Sequence, residues 1–330
     1  MKAAVYYEPG PPSVFRYEDV PDPVAGPGEI VVANEVITLE GGDAIARRQQ
    51  VPKRTPHIVG YQSGGKVIAV GEGVSLFKVG DRAATFAPAG SHAALRKVPE
   101  ATAWQVPDGL DMQVGANIPV TFGTADDALF EFGELKAGET VVVTGATGGV
   151  GVAAIQIARA AGATVIAVGS GDERLARLTA LGAHHVIDYR KADIAEGVKA
   201  LTGGRGAEVV IEMVGGKVFD AAVGAGAYRG RIVFVGAASG QPAMVDAMRL
   251  LIDCKSVRGM IFGREMATER ARRIVDKHMA DAAAGRVDVP IDRVFPLSEA
   301  AAAHEHLENG HPFGRVLMIP QRRAGGVRPR

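Results

Sequence analysis

The stretch VVVTGATGGVG, residues 141–151, decides how this chain folds. Three β-branched residues run directly into a loop with four glycines in seven positions, and the apolar segment GVAAIQIARAAG (151–162) follows. A loop so rich in glycine either turns the chain tightly or lets the backbone approach a phosphate group. Its position between a strand-like run and a helix-like run favours the phosphate.

The loop has the spacing of the dinucleotide-binding fingerprint G-x-G-x-x-G, with Ala146 in the first position, followed by Gly148 and Gly151. Gly148 would let the backbone approach a pyrophosphate, and Gly151 would let the helix pack closely on the strand. The N–H groups and the positive dipole end of that helix would face the anion. We therefore expect a nucleotide site here.

The segments on both sides of this loop alternate between apolar runs and helix-like stretches. The apolar runs are TVVVTG (140–145), ATVIAVG (163–169), HHVIDY (184–189), AEVVIEMV (207–214) and RIVFVG (231–236). The helix-like stretches are GVAAIQIARAAG (151–162), DERLARLTALG (172–182), IAEGVKALTG (194–203) and KVFDAAVGAG (217–226). Strands buried on both faces that alternate with amphipathic helices form a parallel, doubly wound sheet, so the sequence predicts an α/β fold.

The two ends of the chain follow a different pattern. Up to about residue 120, short β-type runs are separated by Gly and Pro, which predicts a compact, antiparallel, barrel-like domain. From about residue 264, a long polar-faced helix precedes the strand-like VPIDRVFPL, a helix with Ser298 as candidate N-cap, and the strand-like GRVLMIP. The tail QRRAGGVRPR has no apolar pattern, and we expect it to be disordered.

Composition excludes several classes of function. The 330 residues carry 37 basic and 37 acidic side chains, and this balance argues against nucleic acid as the main partner. No apolar run is long enough to span a membrane, and the N-terminus lacks the apolar region of a signal peptide. Because Cys254 is the only cysteine, neither an intramolecular disulfide nor a multi-thiolate metal site can form, and we expect a cytoplasmic protein.

The residues after the second strand of the predicted sheet indicate which dinucleotide is bound. A site for NAD places Asp or Glu there to bond the ribose hydroxyls. This strand ends in Gly169 and Ser170, with Arg174 shortly after, and Tyr189 closes the third strand. A hydroxyl and an arginine suit a 2′-phosphate, which a carboxylate would repel, so we expect NADPH. The alternative for Arg174 is an ordinary solvated helix residue.

Together these segments resemble the zinc-independent medium-chain dehydrogenases/reductases, in the quinone oxidoreductase (zeta-crystallin-like) branch. The resemblance runs almost end to end through the motifs MKAAVYYEPG, VAGPGEIVVANEV, GKVIAVGEGVSLFKVGDR, LKAGETVVVTGATGGVG, LGAHHVIDYR, TGGRGAEVVIEMVGG and GRVLMIP. It implies a discontinuous GroES-like, β-rich barrel catalytic domain (1–120 with 264–330) and a Rossmann dinucleotide-binding domain (121–263). It also implies a homodimer or homotetramer that assembles through the edge strand SVRGMIF (256–262) of the Rossmann sheet.

The resemblance further implies a set of residues that contact NADPH. On the phosphate loop these are Ala146, Gly148, Gly149, Val150 and Gly151, and Ser170, Arg174 and Tyr189 match contacts to the 2′-phosphate. Thr124, in PVTFGTA, and the pair Val235 and Gly236 match positions near the nicotinamide, and Arg315 stands where the family usually has a lysine near the cofactor.

Zinc-dependent members of the same superfamily have a cysteine in a G-x-C-x-x-D segment and a His-Glu pair after a glycine. This chain has Glu40 at the cysteine position and Tyr61 with Gln62 at the His-Glu position. Glu212 stands near the position of the third ligand. Because zinc catalysis requires three convergent ligands, we expect no metal.

The chain departs from the quinone oxidoreductase pattern at two positions that line the substrate cleft in the family. Glu40 replaces an asparagine and Asp126 replaces a tyrosine. The two carboxylates indicate either a changed substrate or proton path, or solvated and salt-bridged residues at the edge of the cleft. Phe122 and Phe262 are candidates for apolar walls of the substrate pocket, with core packing as the alternative.

Without a metal, the protein must polarise its acceptor by hydrogen bonds, which is feasible for a conjugated acceptor such as a quinone. The candidates are Tyr61 as the oxyanion donor or acid, or else as a packing residue, and Glu40 as a proton source. His92 is expected at the surface. We expect NADPH-dependent hydride transfer to a quinone. The alternatives are an enone or enal double-bond reductase and a non-catalytic, crystallin-like NADPH-binding protein.

Overall fold

The structure is a computed structural model that describes residues 1–321. Contacts divide the chain into two compact units. The first contains Met1–Asn117, Ile291–His311 and the described residues from Val316 onward, and the second contains Ile118–Pro290 and Pro312–Arg315. Within residues 1–321, none of the helices combines the length and the hydropathy that a membrane span requires. Beyond Gln321, the tail that we expect to be disordered lies outside the described residues.

Strands and helices are numbered in chain order. The strands are β1 (Lys2–Val5), β2 (Arg16–Asp19), β3 (Glu29–Thr38), β4 (Gln62–Val70), β5 (Arg82–Phe86), β6 (Leu95–Pro99), β7 (Ala103–Gln105), β8 (Thr140–Val143), β9 (Thr164–Gly169), β10 (His185–Asp188), β11 (Ala207–Glu212), β12 (Gly226–Phe234), β13 (Ser256–Gly259), β14 (Ile291–Pro296) and β15 (Arg315–Ile319). The helices are α1 (Gly41–Gln49), α2 (Met112–Gly115), α3 (Gly123–Asp127), α4 (Gly149–Ala160), α5 (Asp172–Ala180), α6 (Ile194–Leu201), α7 (Gly216–Ala225), α8 (Ala247–Ile252), α9 (Glu269–Ala283) and α10 (Ala300–Asn309). Helix α3 is flanked by the π-helical turns Ile118–Phe122 and Ala128–Phe132.

The second unit is built on a parallel sheet of six strands, which lie in the order β10-β9-β8-β11-β12-β13. Counted along this unit, that order is the 3-2-1-4-5-6 of a doubly wound sheet, so the predicted α/β architecture is confirmed. Strand β8 is central: Val142 pairs with Ile166 on one side and with Val210 on the other. The strand order reverses between β8 and β11, and ligands of such sheets bind at the carboxyl ends of the strands beside this point.

Burial explains why the apolar runs of the second unit form strands. The side chains of Val141, Val142 and Val143 are all fully buried, as expected for a strand that helices cover on both faces. Their neighbours belong to one continuous core that includes Phe219 of α7 and Ile232 of β12. The removal of this apolar surface from water is the main stabilising contribution to the unit.

The first unit contains a seven-stranded sheet, in the order β14-β15-β3-β4-β5-β7, and strand β6 pairs with β3 outside this path. Strands β3, β4, β5 and β7 pair in antiparallel fashion, and β1 and β2 form a separate two-stranded sheet. Ile30, Val32 and Val67 belong to the core under the sheet. Helix α1 begins three residues after the end of β3, so the first turn of α1 is held close to the sheet.

The structure differs from the sequence interpretation at the ends of the units. Residues 264–290 and 312–315 lie in the second unit, whereas the sequence pattern placed them with the first. The reason is that α9 packs on α3, where His278 bonds to Asp126 and Arg270 pairs with Asp127. The prediction of Ser298 as an N-cap is wrong, because a short 3₁₀ turn precedes α10 and its N-cap is Glu299.

Candidate functional site

The glycine-rich loop lies between β8 and α4, as its sequence predicts. Gly148 is the N-cap of α4, and the first helical hydrogen bond runs from the N–H of Val152 to the carbonyl of Gly148, at 2.9 Å. The N–H groups of residues 149–151 therefore precede the hydrogen-bond ladder of the helix. A helix start of this kind has a positive dipole end and donors for an anion.

The structure gives different reasons for glycine at two positions of the loop. A Cβ on Gly151 would lie 2.6 Å from the Cα of Ala146, so close packing of the loop requires glycine there. A Cβ on Gly148 would meet only the carbonyl oxygen of Gly145, at 3.4 Å, and Gly148 has the extended backbone angles φ −81° and ψ 167°. Packing within the protein therefore does not explain Gly148. The open space at this residue fits a phosphate group against the backbone.

A short segment around Gly314 crosses the phosphate loop. The N–H of Gly314 donates to the carbonyl of Thr147 at 2.8 Å, and Gly148 and Gly314 form a parallel bridge. The next residue, Arg315, covers the start of α4: a Cβ on Gly149 would lie 2.6 Å from Arg315 Nη1. A guanidinium beside the positive end of a helix dipole is unfavourable unless an anion lies close by. The predicted cofactor residues Gly149 and Arg315 are thus brought together.

Ser170, Arg174 and Tyr189, the residues predicted to contact a 2′-phosphate, form one cluster. Arg174 Nη2 donates to Ser170 Oγ at 3.0 Å, and Ser170 Oγ donates to Tyr189 Oη at 3.4 Å. The cluster is continuous with the phosphate loop, because the N–H of Ala146 bonds to the carbonyl of Val168, two residues before Ser170. Tyr189 is 47% exposed, so the cluster opens to solvent.

The carboxylates near this cluster are already engaged. Asp188, at the end of β10, accepts the N–H groups of Arg190 and Gly171 at 3.0 and 3.4 Å. These hydrogen bonds, led by that from Arg190, lower the pKa of Asp188 and keep it a carboxylate. Asp172 forms an ion pair with Lys191 at 2.5 Å. The charge that would repel a bound phosphate is therefore partly balanced.

Glu212 organises the switch point of the sheet. Its carboxylate is fully buried at the end of β11 and accepts the hydroxyl of Thr144 at 3.1 Å and the N–H of Val214 at 2.8 Å. Burial raises the pKa of Glu212, and the bonds to these donors oppose that rise. The carbonyl of the same residue accepts the N–H of Val235 at 2.8 Å. Glu212 thus ties together the chain segments that follow β8, β11 and β12.

Thr124 lies half-buried on α3, and one turn earlier Thr121 reaches the phosphate loop, with its Cγ2 3.0 Å from the Cβ position of Gly149. Phe122 and Phe262 are almost fully buried, with exposed fractions of 1% and 2%. Phe262 packs directly on Gly123, where a Cβ would lie 2.2 Å from the ring. These are packing contacts, so the role of the two rings as pocket walls stays a prediction.

Asp126, predicted at the substrate pocket, is bonded inside the second unit. His278 Nε2 lies 2.6 Å from Asp126 Oδ2, and His278 is 1% exposed. The neighbouring Asp127 pairs with Arg270. These contacts anchor α3 to α9 and hydrogen-bond the Asp126 side chain within the second unit, and its role at the substrate pocket stays a prediction.

Glu40, in the first unit, is buried where β3 leads into α1. Its Oε1 accepts the hydroxyl of Thr38 and the amide of Gln62, each at 3.1 Å. Its N–H donates to Asp43 Oδ2 at 2.9 Å, so Glu40 is also the N-cap residue of α1 and forms a capping box with Asp43. The carboxylate is therefore held in one orientation by neutral donors.

Tyr61 lies beside the first turn of α1, the helix that Glu40 caps. A Cβ on Gly42 would lie 1.6 Å from Tyr61 Oη, so this glycine makes room for the hydroxyl beside the first turn of α1. The ring of Tyr61 meets Phe86 edge to face at 6.2 Å. Behind it, the buried Arg96 guanidinium donates to the carbonyls of Gly60 and Ala87 at 3.4 and 2.9 Å. The two candidate catalytic residues are thus brought to the same end of α1.

His92 is not at the surface, so that expectation is wrong. It is fully buried, and its Nε2 lies 2.9 Å from Nε2 of His304, which is also fully buried. Burial lowers the pKa of His92 to about 3 and holds that of His304 well below its usual value. One imidazole donates and the other accepts, so the pair is neutral. Phe15 stacks on His92, which the local sequence around His92 does not reveal.

Comparison with known proteins agrees with this architecture. Residues 149–279 match the family described as Zinc-binding dehydrogenase, and residues 26–108 match Alcohol dehydrogenase GroES-like domain. Although one description names zinc, residues 1–321 contain no group of three or more His, Cys, Asp or Glu side chains that could hold a metal ion. The predicted fold class, a GroES-like domain with a Rossmann domain, is confirmed.

Individual relatives cover almost the whole chain. The chain is 32% identical to the 2-haloacrylate reductase of Burkholderia sp, over 97% of this chain and 99% of that protein. It is similar to the quinone oxidoreductase of Pseudomonas syringae pv. Tomato DC3000, with a TM-score of 0.91 and 31% identity over 97% and 99% of the two chains. It is also similar to the quinone oxidoreductase of Escherichia coli complexed with NADPH, with a TM-score of 0.89 and 27% identity over 97% and 100%.

The switch-point crevice, the phosphate loop and these full-length similarities lead to one conclusion. The chain belongs to the medium-chain dehydrogenase/reductase superfamily, in its quinone oxidoreductase branch, and is an NAD(P)H-dependent oxidoreductase.

Proposed function

We propose that this protein is an NADPH-dependent reductase that delivers hydride to a conjugated carbonyl acceptor, with a quinone as the first candidate. The observation that carries the cofactor choice is the cluster of Ser170, Arg174 and Tyr189 beside the phosphate loop. A hydroxyl, a guanidinium and a phenol are donors for a 2′-phosphate, and their charge-assisted hydrogen bonds favour NADPH over NADH. The NADPH complex of the related E. coli protein supports the same choice.

The residues that would hold NADPH fall into three groups. The N-terminus of α4 and Arg315 would take the pyrophosphate, and Ser170, Arg174 and Tyr189 would take the 2′-phosphate. Thr124, Val235 and Gly236 are proposed for the nicotinamide end. When bound, NADPH supplies the hydride. The protein contributes orientation and a switch point held rigid by buried Glu212.

The acceptor class follows from the residues available for the proton step. Glu40, Tyr61 and Gln62 stand at the positions of the zinc ligands in related dehydrogenases, and a conjugated acceptor can be polarised by hydrogen bonds. We assign Tyr61 as the donor to the developing oxygen charge and Glu40 as the proton source. The bonds of Thr38 and Gln62 to Glu40 would fix the direction of its carboxyl group.

A second candidate acceptor is an activated alkene. The Burkholderia relative is a 2-haloacrylate reductase, and it is 32% identical over nearly the full length of both proteins. An enone, an enal or a haloacrylate accepts hydride at the β-carbon and develops charge on oxygen, so the same donors would serve. The two candidates differ in the shape of the acceptor and in where the proton ends, which is on oxygen in a hydroquinone and on the α-carbon in the saturated product of an alkene.

The experiment is steady-state NADPH oxidation with matched panels of quinones, enones, enals and 2-haloacrylates, on the wild type and on Tyr61→Phe. We expect quinones to give the highest kcat/KM. We expect Tyr61→Phe to lower kcat by about 10²-fold or more at unchanged affinity for NADPH, since that is the usual size of an acid–base contribution. A preference for alkenes selects the second candidate. No turnover of any acceptor by a protein that binds NADPH would contradict both.

A further inference from the structure

Helix α5 carries two arginines, Arg174 and Arg177, which lie three residues apart and so share one face of the helix. Leu175 and Leu178 are buried under the helix, which fixes its rotation. Arg174 bonds to Ser170 in the cluster described above. Arg177 makes a different contact: its guanidinium carbon lies 3.8 Å from the centre of the Phe313 ring. This distance is well inside the range of a cation–π interaction.

Phe313 begins the short segment that crosses the phosphate loop. It is 2% exposed, and the next residue, Gly314, donates its N–H to Thr147 at 2.8 Å. Gly314 has φ +86°, and a Cβ there would lie 2.2 Å from the carbonyl oxygen of Pro290, so this position requires glycine. Glycine provides no side chain to hold the segment in place. The ring before it therefore supplies the side-chain anchor.

The residue after Gly314 is Arg315, whose guanidinium covers Gly149 at the start of α4. The backbone N–H of Arg315 donates to the carbonyl of Pro290 at 2.9 Å. Phe313, Gly314 and Arg315 are consecutive, so a displacement of Phe313 moves Arg315 away from the helix start. The direction of the Arg315 guanidinium would affect how tightly a phosphate binds at the start of α4.

We propose that Arg177 is a positioning residue of the dinucleotide site, which acts by holding Phe313 and thereby Arg315 against the phosphate loop. The inference rests on the proposed function, because it assumes that this loop binds the pyrophosphate of a dinucleotide. Helix α5 then has two roles in binding the dinucleotide. Arg174 reads the 2′-phosphate that distinguishes NADPH, whereas Arg177 serves the pyrophosphate that NADPH and NADH share.

The test is isothermal titration of NADPH and of NADH into the wild type, Arg177→Met, Arg315→Met and the double variant. Arg177→Met is expected to raise both dissociation constants by about two- to fivefold, the equivalent of one exposed cation–π contact. The ratio of the two constants stays unchanged. In the Arg315→Met background, Arg177→Met has no further effect, because it acts through Arg315. Lys199→Met, which removes a cation from α6, is the matched control and is expected to leave both dissociation constants unchanged.

A second readout uses the protein without ligand. Hydrogen exchange of the Gly314 amide is expected to be faster in Arg177→Met and in Phe313→Leu, and intermediate in Arg177→Lys, which keeps a cation at the ring. Unchanged exchange together with unchanged dissociation constants overturns the proposal. So does a loss confined to NADPH, which would place Arg177 at the 2′-phosphate instead. If the wild type binds neither dinucleotide, the proposed function fails, and the exchange experiment still decides whether Arg177 holds the segment.

Discussion

At the scale of single residues, the proposed preference for NADPH depends most directly on Arg174. Its side chain folds back over Gly171, which has φ +87° and would place a Cβ 3.3 Å from Arg174 Nε. Two features therefore favour glycine at this position: the left-handed backbone and the close approach of the Arg174 guanidinium. The nearby acid Asp172 is paired with Lys191, so its charge is partly balanced close to the proposed 2′-phosphate site.

Arg174→Met is expected to raise the dissociation constant of NADPH by about tenfold to a hundredfold, because one charge-assisted hydrogen bond is lost. The dissociation constant of NADH should not change, since NADH has no 2′-phosphate. Fluorescence titration of both dinucleotides measures the effect, with Lys199→Met as the control. An equal loss for both dinucleotides would show that Arg174 does not read the 2′-phosphate.

A second residue-scale feature is the neutral pair of His92 and His304 in the first unit. Their Nε2 atoms are 2.9 Å apart, with no room for a proton on both. Burial is the main cause of the low pKa of each imidazole, with the charge of Arg96 adding to it at His92. Protonation of either ring would put an uncompensated charge in the interior.

The histidine pair predicts how stability depends on pH. Because the folded pKa of His92 is about 3 and the unfolded value is 6.5, the unfolded chain binds more protons between these values. The contribution of the pair to the free energy of unfolding is therefore fully present above pH 6.5. It falls on acidification, by about 1.4 kcal/mol per pH unit for each imidazole.

Urea unfolding at several pH values measures this slope. The double variant His92→Leu and His304→Leu should flatten the slope, because it removes both imidazoles that the unfolded chain protonates below pH 6.5. His185→Gln, at an exposed histidine of β10, should keep the slope. A wild type whose stability is constant between pH 7 and 5 would contradict the buried neutral pair.

At the scale of elements, the phosphate loop has two glycines with separate roles. Gly151 serves the packing of the loop itself, with Ala146 Cα 2.6 Å from its Cβ position. Gly148 has room for a side chain and an ordinary extended conformation. Packing requires glycine only at Gly151, and in the proposed function Gly148 leaves room for a phosphate of the cofactor.

The pair Gly148→Ala and Gly151→Ala separates the two roles. Gly148→Ala is expected to change stability by less than about 0.5 kcal/mol and to weaken dinucleotide binding by about tenfold. Gly151→Ala is expected to destabilise the protein by about 1–3 kcal/mol through the clash in the loop. Thermal unfolding and titration with NADPH measure both effects. Equal stability loss in the two variants would remove the argument that Gly148 is kept for a phosphate.

Much of the parallel sheet could be predicted from the sequence, because strands buried on both faces need continuous apolar runs such as that at 141–143. The cluster of Ser170, Arg174 and Tyr189 could also be foreseen, since it follows from the ends of neighbouring strands. The sequence pattern gives no signal for helix α1, because the helix is short and mostly polar and depends on the cap at Glu40. The pairing of His92 with His304 joins residues 212 positions apart, and local sequence carries no signal for it.

The same limit applies to Asp126 and Arg177. The partner of Asp126 is His278, which is 152 positions away, and that contact also moves the boundary between the units. Arg177 looks like a solvated helix arginine until the fold places Phe313 beneath it. The spacing of three from Arg174 was the one sequence signal that could have pointed to it.

At the scale of the whole molecule, the predicted assembly depends on β13, which forms an edge of the parallel sheet. Apolar side chains on and near α8 and β13 are exposed: Met248, Leu251, Ile252 and Ile261 have exposed fractions of 55%, 68%, 70% and 65%. An unpaired strand edge beside such a surface favours contact with another chain. We propose that a second copy of this chain covers it.

Light scattering of the purified protein should therefore give about twice the chain mass of 34.3 kDa, or four times for a tetramer. The double variant Leu251→Glu and Ile252→Glu should shift the protein toward the monomer, because it places charges in the contact. Lys53→Glu, at an exposed position of the first unit, is the control. A wild type that is monomeric at micromolar concentration would rule out this interface.

In the proposed function, this chain passes hydride from NADPH to a conjugated carbonyl acceptor. The most direct test is kcat/KM of the wild type with 1,4-benzoquinone, measured separately with NADPH and with NADH. We expect quinone-dependent oxidation of NADPH, one hydroquinone formed for each NADPH consumed, and a preference for NADPH of about tenfold or more. No quinone-dependent oxidation, or a preference for NADH, would contradict it.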